Sequence, residues 1–341
     1  MNQVIAERAA KFYGLNVKRI APPQSGYRNQ SYRILMARGR QLNLIFFKRE
    51  AGILQRIERA DTASELAAKA GLPTRRRADP RTLKLAAADG RNFYARLYDW
   101  LPGATIPWEN YTRRHLKLLG WAMSDLHNVL RDFSGDLPSA AARAQNLNRQ
   151  MTHYFSDQNV RRALRQKLDL KLDVNLLGKF GKIFDLIDAK KSGRIPLHMD
   201  LVRGNILFAA ADETVNSPWR LDDLALSGVI DFEKIARGRP EWDLARTLAF
   251  LLVDVAGKTP RRIWQNFIWS GYFKRGAYNL NWTAALKRRI WQLTRWFLLY
   301  DFYKFLRHNP YESLKLNHHY KRTRDILLTK NMLQLSKAEE E

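Results

Sequence analysis

The chain contains no cysteine, which excludes disulfides, thiolate metal sites and a cysteine nucleophile. That absence fits a reducing cytoplasm. It also has no run of about 18 consecutive apolar residues, so no membrane-spanning helix is expected. The opening segment Met1-Asn2-Gln3-Val4-Ile5-Ala6-Glu7 lacks the basic start and apolar run of a secretory signal. Acidic residues are scarce, with 33 Asp+Glu against 59 Lys+Arg and a net charge of +26. Zinc-finger spacing and the aromatic sheet motif of RNA-binding domains are both missing. No internal repeat is present.

What remains is 341 residues, 45% of them hydrophobic, enough for one or two ordinary cores. A positive field attracts nucleic acid, anionic lipid surfaces or acidic metabolites, and it constrains partners rather than fold. The charge is densest toward the C-terminus. Residues 261–341 hold 16 Lys+Arg and 6 Asp+Glu, three of the six being the terminal Glu339-Glu340-Glu341. Arg75-Arg76-Arg77 forms a second, local cluster.

Periodicity divides the chain. A short N-terminal helix is expected to stop at Gly14, and Pro22-Pro23 interrupts regular structure soon after it. Strand patterns at 31–37 and 42–47 flank Arg38-Gly39-Arg40 as a hairpin. A helix over 53–70 ends at Gly71 and Pro73. Two further strands, 83–87 and 93–97, turn at Asp89-Gly90. Beyond Pro102-Gly103 the pattern becomes helical, at 113–130, 158–171, 176–190, 242–255, 260–275 and 282–307. Short strands at 206–209 and 226–230 interrupt it. The expectation is an α+β chain with an antiparallel sheet lobe at 1–97, a hinge at 98–103, a helical lobe at 104–335 and an acidic tail at 336–341.

Two segments carry chemistry. In His198-Met199-Asp200-Leu201-Val202-Arg203-Gly204-Asn205, an Asp and an Asn stand five residues apart before a strand. The Asp can orient a hydroxyl and accept its proton, and the Asn amide oxygen can bind a hard cation. Asp231 follows the strand at 226–230. Pairing that strand with 206–209 would set Asp231 beside Asn205 as a two-oxygen magnesium site. Asp and Asn at strand ends also cap turns, so either segment alone is ambiguous.

Together the segments resemble the aminoglycoside phosphotransferase and choline kinase family, relatives of the protein kinases. The resemblance rests on His198, Asp200 and Asn205, then Ile230-Asp231-Phe232-Glu233, Gly238-Arg239-Pro240 and Asp243-Leu244-Ala245, in the family's order. It covers roughly residues 17–250 and implies a bilobal, protein-kinase-like fold with ATP and magnesium as cofactors. It makes Asp200 the catalytic base and Asn205 and Asp231 the metal ligands. It also makes Ser25-Gly26-Tyr27-Arg28-Asn29 a phosphate-covering loop, where Gly26 lets backbone N–H groups approach an anion. Lys48, at the end of an apolar strand, becomes the lysine that binds the α/β phosphates. Its helix partner would be Glu65 or Glu58. Tyr98 and Trp100 belong to the hinge that meets adenine. His198 and His127 are expected to brace rather than transfer protons, and Arg203 to face phosphate, an anionic substrate or water.

Several positions depart from the family pattern. Met199 replaces a common Gly, Val202-Arg203 a frequent His-Pro, and Arg239 a common Asp. A polar insert at 212–223 lengthens the loop before Asp231. Between residues 261 and 311 the only acid is Asp301. A polycationic aminoglycoside needs several carboxylates, so Glu241, Asp243, Asp254 and Asp301 would have to converge to bind one. A sugar, an amino alcohol or another small hydroxyl compound fits better. The other readings are a kinase of a lipid-linked sugar or headgroup, docked peripherally on an anionic membrane, and a catalytically weak scaffold binding nucleic acid. A protein kinase is disfavoured because no Ala-Pro-Glu segment follows Asp231.

Overall fold

The computed structural model describes residues 3–25, 29–87, 90–189, 192–213, 217–255, 257–276, 282–329 and 333–335. The acidic tail lies outside them. Helix α1 (Gln3–Phe12) leads into strands β1 (Val17–Ile20), β2 (Gln24–Ser25), β3 (Gln30–Met36) and β4 (Gln41–Lys48). Helix α2 (Ile53–Lys69) and strands β5 (Leu83–Ala86) and β6 (Asn92–Asp99) come after them. Next are α3 (Arg113–Leu130), α4 (Ala140–Ser156), α5 (Gln158–Leu168), β7 (Leu170–Leu172), α6 (Asn175–Asp188) and β8 (Ile195–Leu197). A group of strands comprises β9 (Ile206–Ala210), β10 (Arg220–Leu221), β11 (Leu224–Val229) and β12 (Ala236–Gly238). Helix α7 (Glu241–Asp254) precedes α8 (Pro260–Ile263), which widens into a π-helix over Trp264–Phe273. The chain ends with α9 (Ala284–His308), α10 (Tyr311–Leu314), α11 (His318–Thr329) and β13 (Leu333–Leu335).

Two compact units result: residues 1–104 with 205–234, and residues 105–204 with 235–341. The sequence division at 98–103 lies close to the first break. The segment 205–234, however, joins the N-terminal unit instead of the helical one. Hydrogen bonds explain why. Ala104 and Phe208 exchange backbone bonds of 2.9 Å, Ser227 donates to the Pro102 carbonyl, and the Val229 N–H donates to Pro73.

In the first unit the sheet runs β1-β3-β4-β6-β5, all neighbours antiparallel, with β2 beside β3. Alternation splits β4 between two faces. Leu42, Leu44 and Phe46 pack with α1 through Ile5, Ala6 and Ala9. Ile45 and Phe47 pack with Ile53 and Ile57 of α2, beside Tyr94 and Tyr98 of β6. Helix α2 stops where expected, because Gly71 takes φ 82° and the Leu72 N–H reaches back to the Ala67 carbonyl.

The second unit is a helical assembly with two small strand pairs, β8–β12 and β7–β13. Helix α4 and helix α11 were not visible as periodic segments in the sequence. Helix α3 crosses the π-helix at Gly120 and Gly271. A Cβ on Gly120 would lie 2.3 Å from the Phe267 carbonyl oxygen, so only glycine permits this approach. Trp242 of α7 and Trp296 of α9 are wholly buried and meet Phe184 of α6.

Candidate active site

In the helical unit, β8 delivers His198 into the core and the chain then turns sharply. Met199 adopts φ 63°, in the left-handed region, which costs an L-residue about 1–2 kcal/mol. A glycine at this position would avoid that cost. A carboxylate holds the turn. Asp243, in the first turn of α7, accepts the His198 N–H at 2.8 Å and the Met199 N–H at 2.6 Å. His127 Nε2 donates to the same carboxylate at 3.0 Å, and the Tyr272 hydroxyl lies 2.8 Å from its Nδ1. The Asp200 N–H donates to His198 Nδ1 at 3.2 Å. Thr247 of α7 secures the Leu201 carbonyl one residue further on. Asp200 itself is buried, and Arg203 is exposed. His198 and His127 both hydrogen-bond within this buried cluster.

The helix-lobe acids do not converge. Glu241 is fully buried and bound by Arg239 and Arg289, each 3.1 Å away. Asp254 meets His319 at 2.6 Å, which raises the imidazole pKa through that hydrogen bond. Asp301 is bound by Arg246 at 2.8 Å and Lys304 at 2.7 Å. Burial alone would raise the Asp301 carboxyl, but those two cations hold it below the ordinary value. Among the described residues no group of three or more acids or histidines could hold a metal ion.

In the sheet unit, β9 and β11 pair with Ile206 opposite Val229, and the Ile230 N–H donates to the Asn205 carbonyl at 3.0 Å. Asn205, which enters this pair, is therefore opposite Ile230, the residue before Asp231. Asp231 has φ 64°, in the left-handed region like Met199. Glu233 comes two residues later, bound by the Asn29 amide at 2.7 Å and by Arg56 at 3.3 Å. Burial raises the Glu233 carboxyl pKa, and the nearby charge of Asp231 adds to the rise. An amide oxygen and a carboxylate are hard oxygen donors, the kind of ligand a divalent cation takes together with phosphate and water.

The expected lysine–glutamate pair is not formed. Lys48 is exposed at the end of β4, opposite Phe93, on the face of the sheet that carries α1. The acids of α2 lie on the other face, and a one-residue difference in a strand reverses the direction of the side chain. Glu65 is held by Arg77 at 2.7 Å, and Glu58 by Arg96. The buried acid of α2 is Asp61, which binds Arg96 and accepts from the Tyr98 hydroxyl at 3.0 Å. Arg96 is 1% exposed and stands opposite Ile45 in the ladder. Asp61 was legible in the sequence, since it is three residues after Glu58 and four before Glu65 and so shares their helix face.

Of the phosphate-loop candidates, Ser25 pairs with Gln30, and Asn29 is tied to Glu233. Gly26, Tyr27 and Arg28 lie outside the described residues. Tyr98 is buried, with its hydroxyl spent on Asp61. Trp100 lies under the Arg33 guanidinium, 4.7 Å from ring centre to carbon, and lines an open cleft with Gln41 and Gly103.

An antiparallel sheet carrying one main helix, joined to a helical region, is the protein-kinase-like fold, and solved small-molecule kinases share it. An amicoumacin kinase, in complex with AMP-PNP, Ca2+ and Ami, superposes with a TM-score of 0.64 at 14% identity over 95% of this chain and 93% of its own. A microcompartment-associated aminopropanol kinase gives 0.62 at 13% identity, covering 98% and 100%. An aminoglycoside phosphotransferase from Alicyclobacillus acidocaldarius gives 0.56 at 13% identity, covering 94% of each chain. No curated protein matches in sequence. The sequence profile of the Phosphotransferase enzyme family matches residues 19–268, and the chain belongs to that family.

Proposed function

We propose that this protein transfers the γ-phosphoryl group of ATP to a hydroxyl of a small molecule, with magnesium as the metal. The observation that carries this reading is the Asp243 clamp. It holds the turn before Asp200 in a strained conformation with both N–H groups satisfied. Strain of this kind persists only where the surroundings over-determine it, as at catalytic loops.

In this mechanism the Asp200 carboxylate orients the acceptor hydroxyl and takes its proton. The acceptor oxygen forms a bond to the γ-phosphorus as the bond to the β,γ-bridging oxygen breaks and ADP leaves. Asn205 and Asp231 would hold the metal, which when bound neutralises phosphate charge. Lys48 is given no part in this mechanism because of the face it occupies.

The acceptor is not expected to be an aminoglycoside. Glu241, Asp243, Asp254 and Asp301 are each committed to a partner within the helical unit, which leaves none of the four free for a polycation. A sugar, an amino alcohol or a similar hydroxyl compound is the expected class. The test is MgATP binding by calorimetry, then ATP consumption across a panel of hydroxyl metabolites. Asp200→Asn should keep nucleotide affinity and lose about 10²–10⁴-fold in turnover. Undiminished turnover in that variant, or wild-type protein that binds no MgATP, would sink the reading.

A further inference from the structure

One stretch of the helical unit combines two excesses. From Val255 to Tyr300 there are nine Lys and Arg, five Trp and no Asp or Glu. Arg275 is tied to Asp125 and Arg289 to Glu241. Arg261, Arg262, Lys274, Lys287 and Arg288 are exposed and form no ion pair among the described residues.

The tertiary structure gathers the aromatic rings among these cations. In an α-helix, Phe273 would follow Trp264 by about two and a half turns and face away from it. The i→i+5 hydrogen bonding of the π-helix over Trp264–Phe273 widens the turn and sets Trp264, Trp269 and Phe273 toward one side. Trp282 shows the alignment, since its ring lies 5.8 Å from Trp264, 5.5 Å from Trp269 and 4.6 Å from Phe273. Trp291 of α9 stacks on Trp264 at 5.1 Å. Lys287, one helical turn before Trp291, stands over the Trp264 ring at 5.9 Å. Trp264 is buried, and the other four rings are half-buried. The indole N–H groups of Trp264, Trp269 and Trp282 donate to nothing among the described residues.

A half-covered indole with an unspent N–H suits the boundary between lipid headgroups and acyl chains. Lys and Arg beside it bury their stems and reach headgroup phosphates. A second copy of this chain would set these cations against their own kind. Single-stranded RNA would need open ring faces for its bases, and Trp264 and Trp291 turn theirs to each other at 12°. We propose that this aromatic and basic face, from the π-helix to the start of α9, docks the protein on an anionic lipid surface. The contact is peripheral, because no helix among the described residues is long and apolar enough to cross a membrane. This inference does not depend on the phosphotransfer reading.

The experiment measures sedimentation of the full chain with vesicles of phosphatidylcholine and phosphatidylserine, and with vesicles of phosphatidylcholine alone. The protein should bind the anionic vesicles at least tenfold more tightly, and salt should weaken that binding. Lys274→Glu combined with Arg288→Glu should lose at least tenfold. Arg161→Glu combined with Arg162→Glu makes the same charge change at exposed positions of α5 and should stay within threefold of wild type. Lipids brominated on the acyl chain should quench tryptophan emission of the bound protein, and Trp282→Gln should reduce that quenching. No preference for anionic vesicles, equal losses in the two charge variants, or no quenching would overturn the assignment. Tighter binding of a single-stranded RNA oligomer, lost in the Lys274→Glu, Arg288→Glu variant, would also overturn it and give the face to nucleic acid.

Discussion

Two turns with left-handed backbones, one in each unit, are held in opposite ways. At Met199 the polar groups around the turn meet in one buried carboxylate, Asp243, shared by two N–H donors and an imidazole. Asp231 instead borders a small cavity whose lining includes Asp61 and Glu233, and each of those acids has its own arginine, Arg96 for Asp61 and Arg56 for Glu233. The first arrangement is complete without ligand and can fix Asp200 before substrate arrives. In the second, the charge is divided among separate pairs, and burial together with the nearby Asp231 charge raises the Glu233 carboxyl pKa. The contrast is between one shared carboxylate that gathers a whole turn and several acids that each keep a partner of their own.

The most damaging way to break the first turn is Asp243→Ala. It would strand two buried N–H groups and the His127 donor, at a cost of about 3–5 kcal/mol, with turnover falling as the loop loosens. Urea unfolding together with turnover would detect it. Asp243→Asn keeps one acceptor and should cost visibly less; equal losses would mean that the clamp is not the cause.

In the sheet unit, Arg96→Met removes the partner of buried Asp61 and should also cost about 3–5 kcal/mol. Because the harm is an uncompensated charge, adding Asp61→Leu should restore much of the loss. If the double variant is as unstable as the sum of the singles, the ion pair is not the relevant coupling. Met199→Gly tests strain directly. Glycine reaches φ 63° without a Cβ clash but loses more chain entropy on folding, so stability should rise by up to about 1 kcal/mol. A clear decrease would mean that the Met199 side chain contributes packing that outweighs the backbone cost.

The smallest effect concerns pH. Burial, with help from Arg114 and Lys258, lowers His115 to about 4, below its ordinary 6.5. The unfolded chain therefore binds this proton more readily than the folded one. The stabilising contribution is fully present above pH 6.5 and is lost as pH falls toward 4. His115 also accepts the Thr112 N–H in the cap of α3, so His115→Gln should flatten the melting temperature across that window.

Much of this was readable from residue order. The spacing of Asp200 and Asn205, the strand before Asp231 and the glycine stop of α2 are local patterns set by backbone geometry. Pairing 206–209 with 226–230 was also foreseeable, because two short apolar runs flanking a polar insert form a hairpin. The strand candidate at 42–47 was real as well, yet it left the placement of Lys48 open. Its pattern does not say which face meets α2, because both faces of β4 are buried and apolar residues occupy both parities.

The chain order of its functional segments, their element types and their chemistry were determined by the sequence itself, since each depends on neighbours within a few residues. Only the tertiary structure decided which acid of α2 is buried, which face of β4 carries Lys48 and what holds the turn before Asp200. Asp61 and Arg96 are 35 residues apart, and His198 and Asp243 are 45 apart. Partners at such distances are chosen by sheet register and helix packing.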